Sequence, residues 1–332
     1  MGSAKIDKLG KIGFVFSGGS MRGAFQAGAL EVVWKQGIHP HYVFGVSVGA
    51  LNASAAALGK ANELIDVWEN IDRKDVYRFP VLKKMQRGIL FSASLFENDP
   101  LIDLMLKFSK KDPKKFRTLQ EKEEAIGRAL TQGGVTPFGV VATNWQLGQP
   151  EVFTNYDQRV LDEPALLAKA IRASGSIPLF FPLVDIGEYQ YGDGNAKYFN
   201  TLRPAVEAGC DTIIFFHITH SSRPINRYAK MIDVALRVVE MNVALYKEDK
   251  DLLNEALSLR ESPSGNFQIL LNKIKKIRGK DVRLVTIKPS VALPDVGFKA
   301  TGNFDKNDIR LLIEEGRKAA NETLGRENLL II

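Results

Sequence analysis

Between Ile12 and Gly59 the chain alternates twice between a short apolar run and a helical spacing, and this restricts the fold more than any other feature. Ile12-Gly13-Phe14-Val15-Phe16 is a continuous apolar run that stops at Ser17-Gly18-Gly19. It reads as a buried strand entering a loop. From Gly23 to Gln36 the residues Phe25, Leu30, Val33 and Trp34 fall near one helical face. A second strand is expected over Tyr42 to Val46. An Ala-rich helix should follow from Val48 to Leu58, closed by Gly59 at its C-terminal end. Strand, helix, strand and helix in so short a span is the signature of a parallel α/β sheet. Further strands are expected at Phe138 to Thr143, Glu151 to Thr154, Thr212 to Ile218 and Arg283 to Ile287. Helices are expected at Glu163 to Ala173, Tyr228 to Tyr246 and Asn307 to Leu324, and Tyr77 to Phe116 reads as irregular.

With 45% apolar and 25% charged residues in 332, the chain can bury a full core, so a disordered or fibrous protein is excluded. Cys210 is the only cysteine, so no internal disulfide can form and a reducing, cytoplasmic setting is expected. The N-terminal segment lacks the apolar stretch and cleavage site of a secretory signal. Gln36 to Gly59 carries no Asp, Glu, Lys or Arg, which is long enough to suggest a membrane span. Its His, Ser, Asn, Pro and Gly residues favour a buried strand, turn and helix instead.

The chemistry centres on Gly45-Val46-Ser47-Val48-Gly49, a G-x-S-x-G between a strand and a helix. In that context a sharp turn pushes the Ser47 hydroxyl out of the backbone, and the small flanking Gly45 and Gly49 let the chain bend. The following helix aims its N-terminus at the site, which favours developing negative charge. A second cluster, Ser17-Gly18-Gly19-Ser20-Met21-Arg22-Gly23, opens the first helix. It fits neither the P-loop nor the dinucleotide fingerprint. The remaining use for converging N–H groups is an oxyanion hole, with Arg22 orienting the loop or attracting an anionic substrate. A serine nucleophile needs a base. His39 and His41 precede the nucleophile strand and should sit at its far end. His217 and His220 lie at the end of the Thr212 to Ile218 strand, and His220 could complete a triad. Asp193, flanked by Gly192 and Gly194, is the other candidate and reads as a carboxylate on a tight loop. Zinc is disfavoured, because HExxH is absent and His217 and His220 would not share a strand face.

Taken together, these blocks resemble the patatin-like phospholipases. Gly18-Gly19-Ser20-Met21-Arg22-Gly23 is similar to that family's oxyanion loop, Gly45 to Gly49 to its elbow, and Asp193-Gly194-Asn195 to its D-G-[GA] motif. Ala173-Ser174-Gly175-Ser176-Ile177-Pro178-Leu179-Phe180-Phe181-Pro182 is similar to a fourth block, and Ile309, Gly316 and Ala319 keep its late rhythm. The resemblance implies a three-layer α/β/α fold with a mainly parallel central sheet. It implies hydrolysis of phospholipid, lysophospholipid or glyceride acyl esters by a Ser47–Asp193 dyad, with Asp193 as general base and Gly18, Gly19 and Ser20 as the oxyanion hole. No metal or cofactor is implied. Ser20 stands where the family has a third Gly, and the hole is expected to survive if its φ stays negative. Asn195 replaces Gly or Ala. Two other readings stay open: a Ser-His-Asp esterase using His220, and an inactive lipid-binding protein on the same fold.

One domain is expected over residues 1–332. Residues 8–220 would be the catalytic α/β core, and 221–332 a C-terminal helical segment with a late strand and final helix. The formal charge of +7 is local. Arg73 to Arg117 holds 12 basic and 5 acidic residues, which accounts for the whole excess, interleaved with Leu82, Met85, Ile89, Leu90, Phe91, Leu95 and Phe96. Cations beside bulky apolar groups suit peripheral contact with an anionic membrane, and no nucleic-acid recognition motif is present.

Overall fold

Strand residues of alternating direction bury both faces of a central sheet. The structure is a computed structural model that describes residues 7–78, 94, 96–108, 111–197, 201–218, 249–258, 282–291, 293 and 305–330. The strands are β1 (Ile12–Phe16), β2 (Tyr42–Val46), β3 (Phe138–Asn144), β4 (Gln149–Thr154), β5 (Val184–Ile186), β6 (Tyr189–Asp193), β7 (Thr212–Phe216) and β8 (Arg283–Ile287). The main helices are α1 (Gly23–Lys35), α2 (Val48–Ala57), α3 (Ala61–Asn70), α4 (Pro100–Phe108), α5 (Leu119–Thr131), α6 (Ala165–Ser174), α7 (Asp249–Ser258) and α8 (Lys306–Arg326).

Among the described residues these strands form one sheet in the order β5-β6-β3-β2-β1-β7-β8, with β4 paired to β3. β3, β2, β1, β7 and β8 run parallel, and β4, β5 and β6 are antiparallel additions. Phe14, Phe16, Val43, Ile214 and Phe216 turn toward a core shared with Phe25 and Leu30 of α1 and Ile309, Leu312 and Ile313 of α8. Val15, Phe44, Ile213 and Phe215 turn the other way, onto Leu202, Ala205 and Val206 and onto Leu252 and Ala256 of α7. The fold is therefore three-layered α/β/α. The spacing in α1 suggests one apolar face, yet Gly23 through Val33 are all buried. The reason is α8: a Cβ on Gly28 would strike the Ile313 carbonyl and one on Gly316 the Phe25 carbonyl, so the two helices pack backbone to backbone.

Three expectations need correction. Tyr77 to Phe116 is not irregular throughout, since α4 buries Ile102, Leu104, Met105, Leu106 and Phe108 in the main core. Several of its charges are also locally matched: Lys107 pairs with Asp75 at 3.0 Å and Arg78 with Asp103 at 3.7 Å. Asp193 is not on a loop but is the last residue of β6. Ser20 takes φ +57, not a negative value, because it follows Gly19, whose φ of +152 turns the chain into the short 3-10 helix Ser20–Arg22. The expected helix Tyr228 to Tyr246, His220 and residues 79–93 lie outside the described residues.

Candidate active site

Parallel strands present their carboxyl ends on one edge of the sheet, and loops there are free to carry chemistry. β2 ends at Val46 and the chain turns at once into α2. Ser47 sits at the turn with φ 55 and ψ −130, a sparsely populated region for a residue with a side chain. Such a conformation costs on the order of 1–3 kcal/mol and persists only where its surroundings enforce it. The enforcement is steric: a Cβ on Gly45 would strike the Gly49 carbonyl, and one on Gly49 would strike the Phe16 carbonyl and come within 2.6 Å of that of Ser17. Both glycines are therefore required by close backbone approach.

Ser47 and Asp193 are 146 positions apart, and the sheet brings them together. One edge of β3 is occupied along Gly139–Asn144 by β4. The other edge is shared: Val46 of β2 lies opposite Val141, and Asp193 of β6 lies opposite Ala142, the next residue. β2 and β6 thus meet end to end along β3, one bringing Ser47 and the other Asp193 to the junction. Ser47 Oγ donates a 2.8 Å hydrogen bond to Asp193 Oδ2. The Asn195 N–H donates to Asp193 Oδ1 at 2.7 Å. Asn195, the departure from the usual motif, holds the carboxylate by its backbone N–H, and its side chain also favours the ionised form.

Asp193 is 3% exposed and Ser47 8%. Burial pushes the Asp193 carboxyl up to about 6, against the lowering effect of hydrogen bonds from Asn195 and Ser47. Among the described residues no histidine stands between them. His41 Nδ1 accepts the Ile12 N–H at 3.1 Å, at the opposite end of the sheet. His39 packs edge-on against Trp34, and His217 stacks on Phe215 at 4.8 Å.

The glycine loop lies beside the pair. A Cβ on Gly18 would strike the Asn195 side-chain amide and lie 3.1 Å from Ser47 Cβ. No backbone carbonyl among the described residues accepts the N–H of Gly18 or Gly19. Arg22 closes the short helix, with Nε 4.0 Å from where a Gly19 Cβ would stand, and Gly23 packs so closely on Val48 and Trp68 that a side chain would not fit.

Polar residues buried in apolar helices anchor this loop. Gln26 Nε2 donates to the carbonyls of Ser17 and Phe216 at 2.8 and 2.9 Å. Asn52 Nδ2 donates to Gln26 Oε1 and to the Gly23 carbonyl, and Trp68 Nε1 donates to Asn52 Oδ1 at 3.0 Å. Each side chain is buried and its hydrogen-bonding groups are paired, as burial demands. Gln26 and Asn52 were detectable in sequence as lone amides in otherwise apolar helices. Ser174 is the other residue that spacing does not single out. Its Oγ accepts the Ser47 N–H at 2.8 Å.

Fold and site together define a class: α/β proteins that carry a serine on a strand-to-helix elbow, hydrogen-bonded directly to an aspartate. Within it, this chain belongs to the patatin-like phospholipase family, whose model matches residues 14–206. Triacylglycerol lipase 5 of Saccharomyces cerevisiae is 26% identical over 199 residues, which is 57% of this chain. The match covers 24% of that lipase, so this chain spans about a quarter of its relative's length. Among solved structures, VipD from Legionella pneumophila aligns with 95% of this chain and 67% of its own at 13% identity and a TM-score of 0.41. The type III effector protein ExoU aligns with 96% of this chain and 54% of its own at 13% identity and a TM-score of 0.39. Among the described residues no helix is long and apolar enough to cross a membrane.

Proposed function

We propose that this chain is a serine hydrolase of lipid acyl esters, with Ser47 as nucleophile and Asp193 as general base. The observation that carries the reading is the 2.8 Å hydrogen bond from Ser47 Oγ to Asp193 Oδ2 at a strained elbow. Family membership and the name of the lipase relative support lipid acyl esters, whether phospholipid, lysophospholipid or glyceride, as the substrate class.

In this reaction the Asp193 carboxylate takes the Ser47 proton as Oγ attacks the ester carbonyl carbon. Charge develops on the carbonyl oxygen, above the N-terminus of α2 and beside the glycine loop. The Ser47 N–H is engaged by Ser174, so the oxyanion donors are assigned to Gly18 and Gly19, and Ser20, whose φ is +57 and not negative, is left out of the set. Collapse of the tetrahedral intermediate breaks the ester C–O bond, and Asp193 returns the proton to the leaving alcohol. Water, deprotonated by Asp193, then attacks acyl-Ser47 and releases the fatty acid. A base that ionises near 6 is charged at neutral pH yet close enough in basicity to accept a proton in the transition state. The exposed Lys114, Lys115 and Arg117, within the basic stretch 73–117, are assigned to peripheral contact with an anionic lipid surface at a cytoplasmic face.

A panel of p-nitrophenyl esters and phospholipid vesicles tests the assignment. Ser47→Ala and Asp193→Ala should each fall to background, and the double variant should be no worse, because the pair acts as a unit. Near-normal turnover by Asp193→Ala would remove the dyad.

A further inference from the structure

We propose that Ser174 is a positioning residue of this site: its hydroxyl is inserted into the sheet ladder at the elbow and thereby seats Ser47 against Asp193. The inference rests on the Ser47–Asp193 reading above.

The ladder between β2 and β3 supplies the argument. Val43, opposite Phe138, donates its N–H to the carbonyl of the residue before, Pro137, at 2.8 Å. Carried one residue past Val46, which lies opposite Val141, the same pattern would send the Ser47 N–H to the Val141 carbonyl. It does not go there. Ser174 Oγ stands between them, accepting from the Ser47 N–H at 2.8 Å and donating to the Val141 carbonyl at 2.5 Å. A hydroxyl is one of the few groups able to accept and donate through one atom. The insertion lets the chain leave the sheet at Ser47 while both backbone groups stay paired in a place where Ser174 is 0% exposed.

The same short stretch also grips the partner. The Ser176 carbonyl accepts the Asp193 N–H at 2.9 Å, and the Ser174 carbonyl accepts the Gly194 N–H at 3.4 Å. Ser176 Oγ donates to the Arg172 carbonyl at 3.0 Å and accepts from Asn98 Nδ2 at 2.7 Å. Arg172, one turn back on α6, pairs with the buried Glu123 at 2.8 Å. The end of α6 is thus tied to the fold and holds both Ser47 and Asp193. Their separation is set by Ser174 through Ser176 as well as by β3.

Ser174→Ala removes the hydroxyl and leaves the fold's apolar contacts. The control is Ser54→Ala, which removes another buried hydroxyl, donating to the Leu51 carbonyl at 2.7 Å on the helix after the elbow. Turnover of a soluble p-nitrophenyl ester, the rate of fluorophosphonate labelling and the thermal midpoint are measured for both. Ser174→Ala should lose about 100-fold in kcat with KM held within about threefold, and labelling should slow in step. Ser54→Ala should lower the midpoint and keep wild-type turnover. If Ser174→Ala does not fold, Ser174→Cys makes the same test, since a thiol is a weak donor and acceptor and the same loss is expected. Wild-type turnover in a folded Ser174 variant would overturn the inference. So would a loss in Ser54→Ala that tracks its midpoint as closely as in Ser174→Ala. An active Ser47→Ala would overturn the parent reading too, whereas an inactive Ser47→Ala beside a normal Ser174→Ala would overturn this inference alone.

Discussion

Replacing Asp193 with Asn should abolish hydrolysis and make the protein more stable, by an amount that depends on pH. The Asp193 carboxyl ionises at about 6 instead of 3.8, because burial outweighs the hydrogen bonds it accepts. A folded-state value above the unfolded one means the native state binds the proton more tightly, so stability falls as pH rises from 3.8 to about 6. At about 1.4 kcal/mol per pH unit, the ionised carboxylate costs the fold about 3 kcal/mol above that window and nothing below it. Asn carries no charge and can still accept the Asn195 N–H and donate to Ser47 Oγ. Urea denaturation at about pH 7.5 should show Asp193→Asn more stable by about 3 kcal/mol, shrinking to about 1 kcal/mol near pH 4.5. A variant less stable than wild type at pH 7.5, or a gain independent of pH, would refute the claim that this carboxylate is held ionised against its surroundings.

The same ionisation fixes the acid limb of the reaction. Below about pH 6, kcat/KM for a soluble ester should drop about tenfold per pH unit as Asp193 takes up a proton, and a profile flat to pH 4.5 would exclude it as the base. Gly18→Ala places a Cβ against the Asn195 amide and 3.1 Å from Ser47 Cβ. It should cost about 100-fold in turnover while circular dichroism stays native, because a misplacement of about 1 Å is costly in a catalytic site. Lys114→Glu, Lys115→Glu and Arg117→Glu together should weaken co-sedimentation with phosphatidylserine vesicles, at about 1 kcal/mol per charge, and spare soluble-ester turnover. Unchanged vesicle binding would leave these residues as ordinary surface.

What was legible in the sequence was what is local. Gly45 to Gly49 could be recognised because strand, tight turn and helix are consecutive, and each glycine answers a nearby backbone. Asp193 could be found only as one candidate among several. Its place depends on β6 meeting β2 end to end along β3, a junction between distant segments. β5 and β6 form a short hairpin around Gly187, too brief to show a pattern of alternation. α5 carried a readable signal, since Thr118 and Glu121 form a capping box at its start. α4 is a short helix inside a charged stretch, so its buried face is diluted by Asp103 and Lys107. The function of Ser174 was hidden for a deeper reason: it replaces a ladder bond between two other segments, and no spacing within its own helix reports that.

A Ser47–Asp193 dyad must pass through a covalent acyl-Ser47 intermediate. Turnover of a slowly deacylating p-nitrophenyl ester, quenched in acid and read by peptide mass spectrometry, should place one acyl group on Ser47 in the wild-type protein. None should appear there in Asp193→Ala. Hydrolysis that proceeds with the acyl group on another residue, or with Ser47 acylated as fast in Asp193→Ala as in wild type, would contradict the dyad.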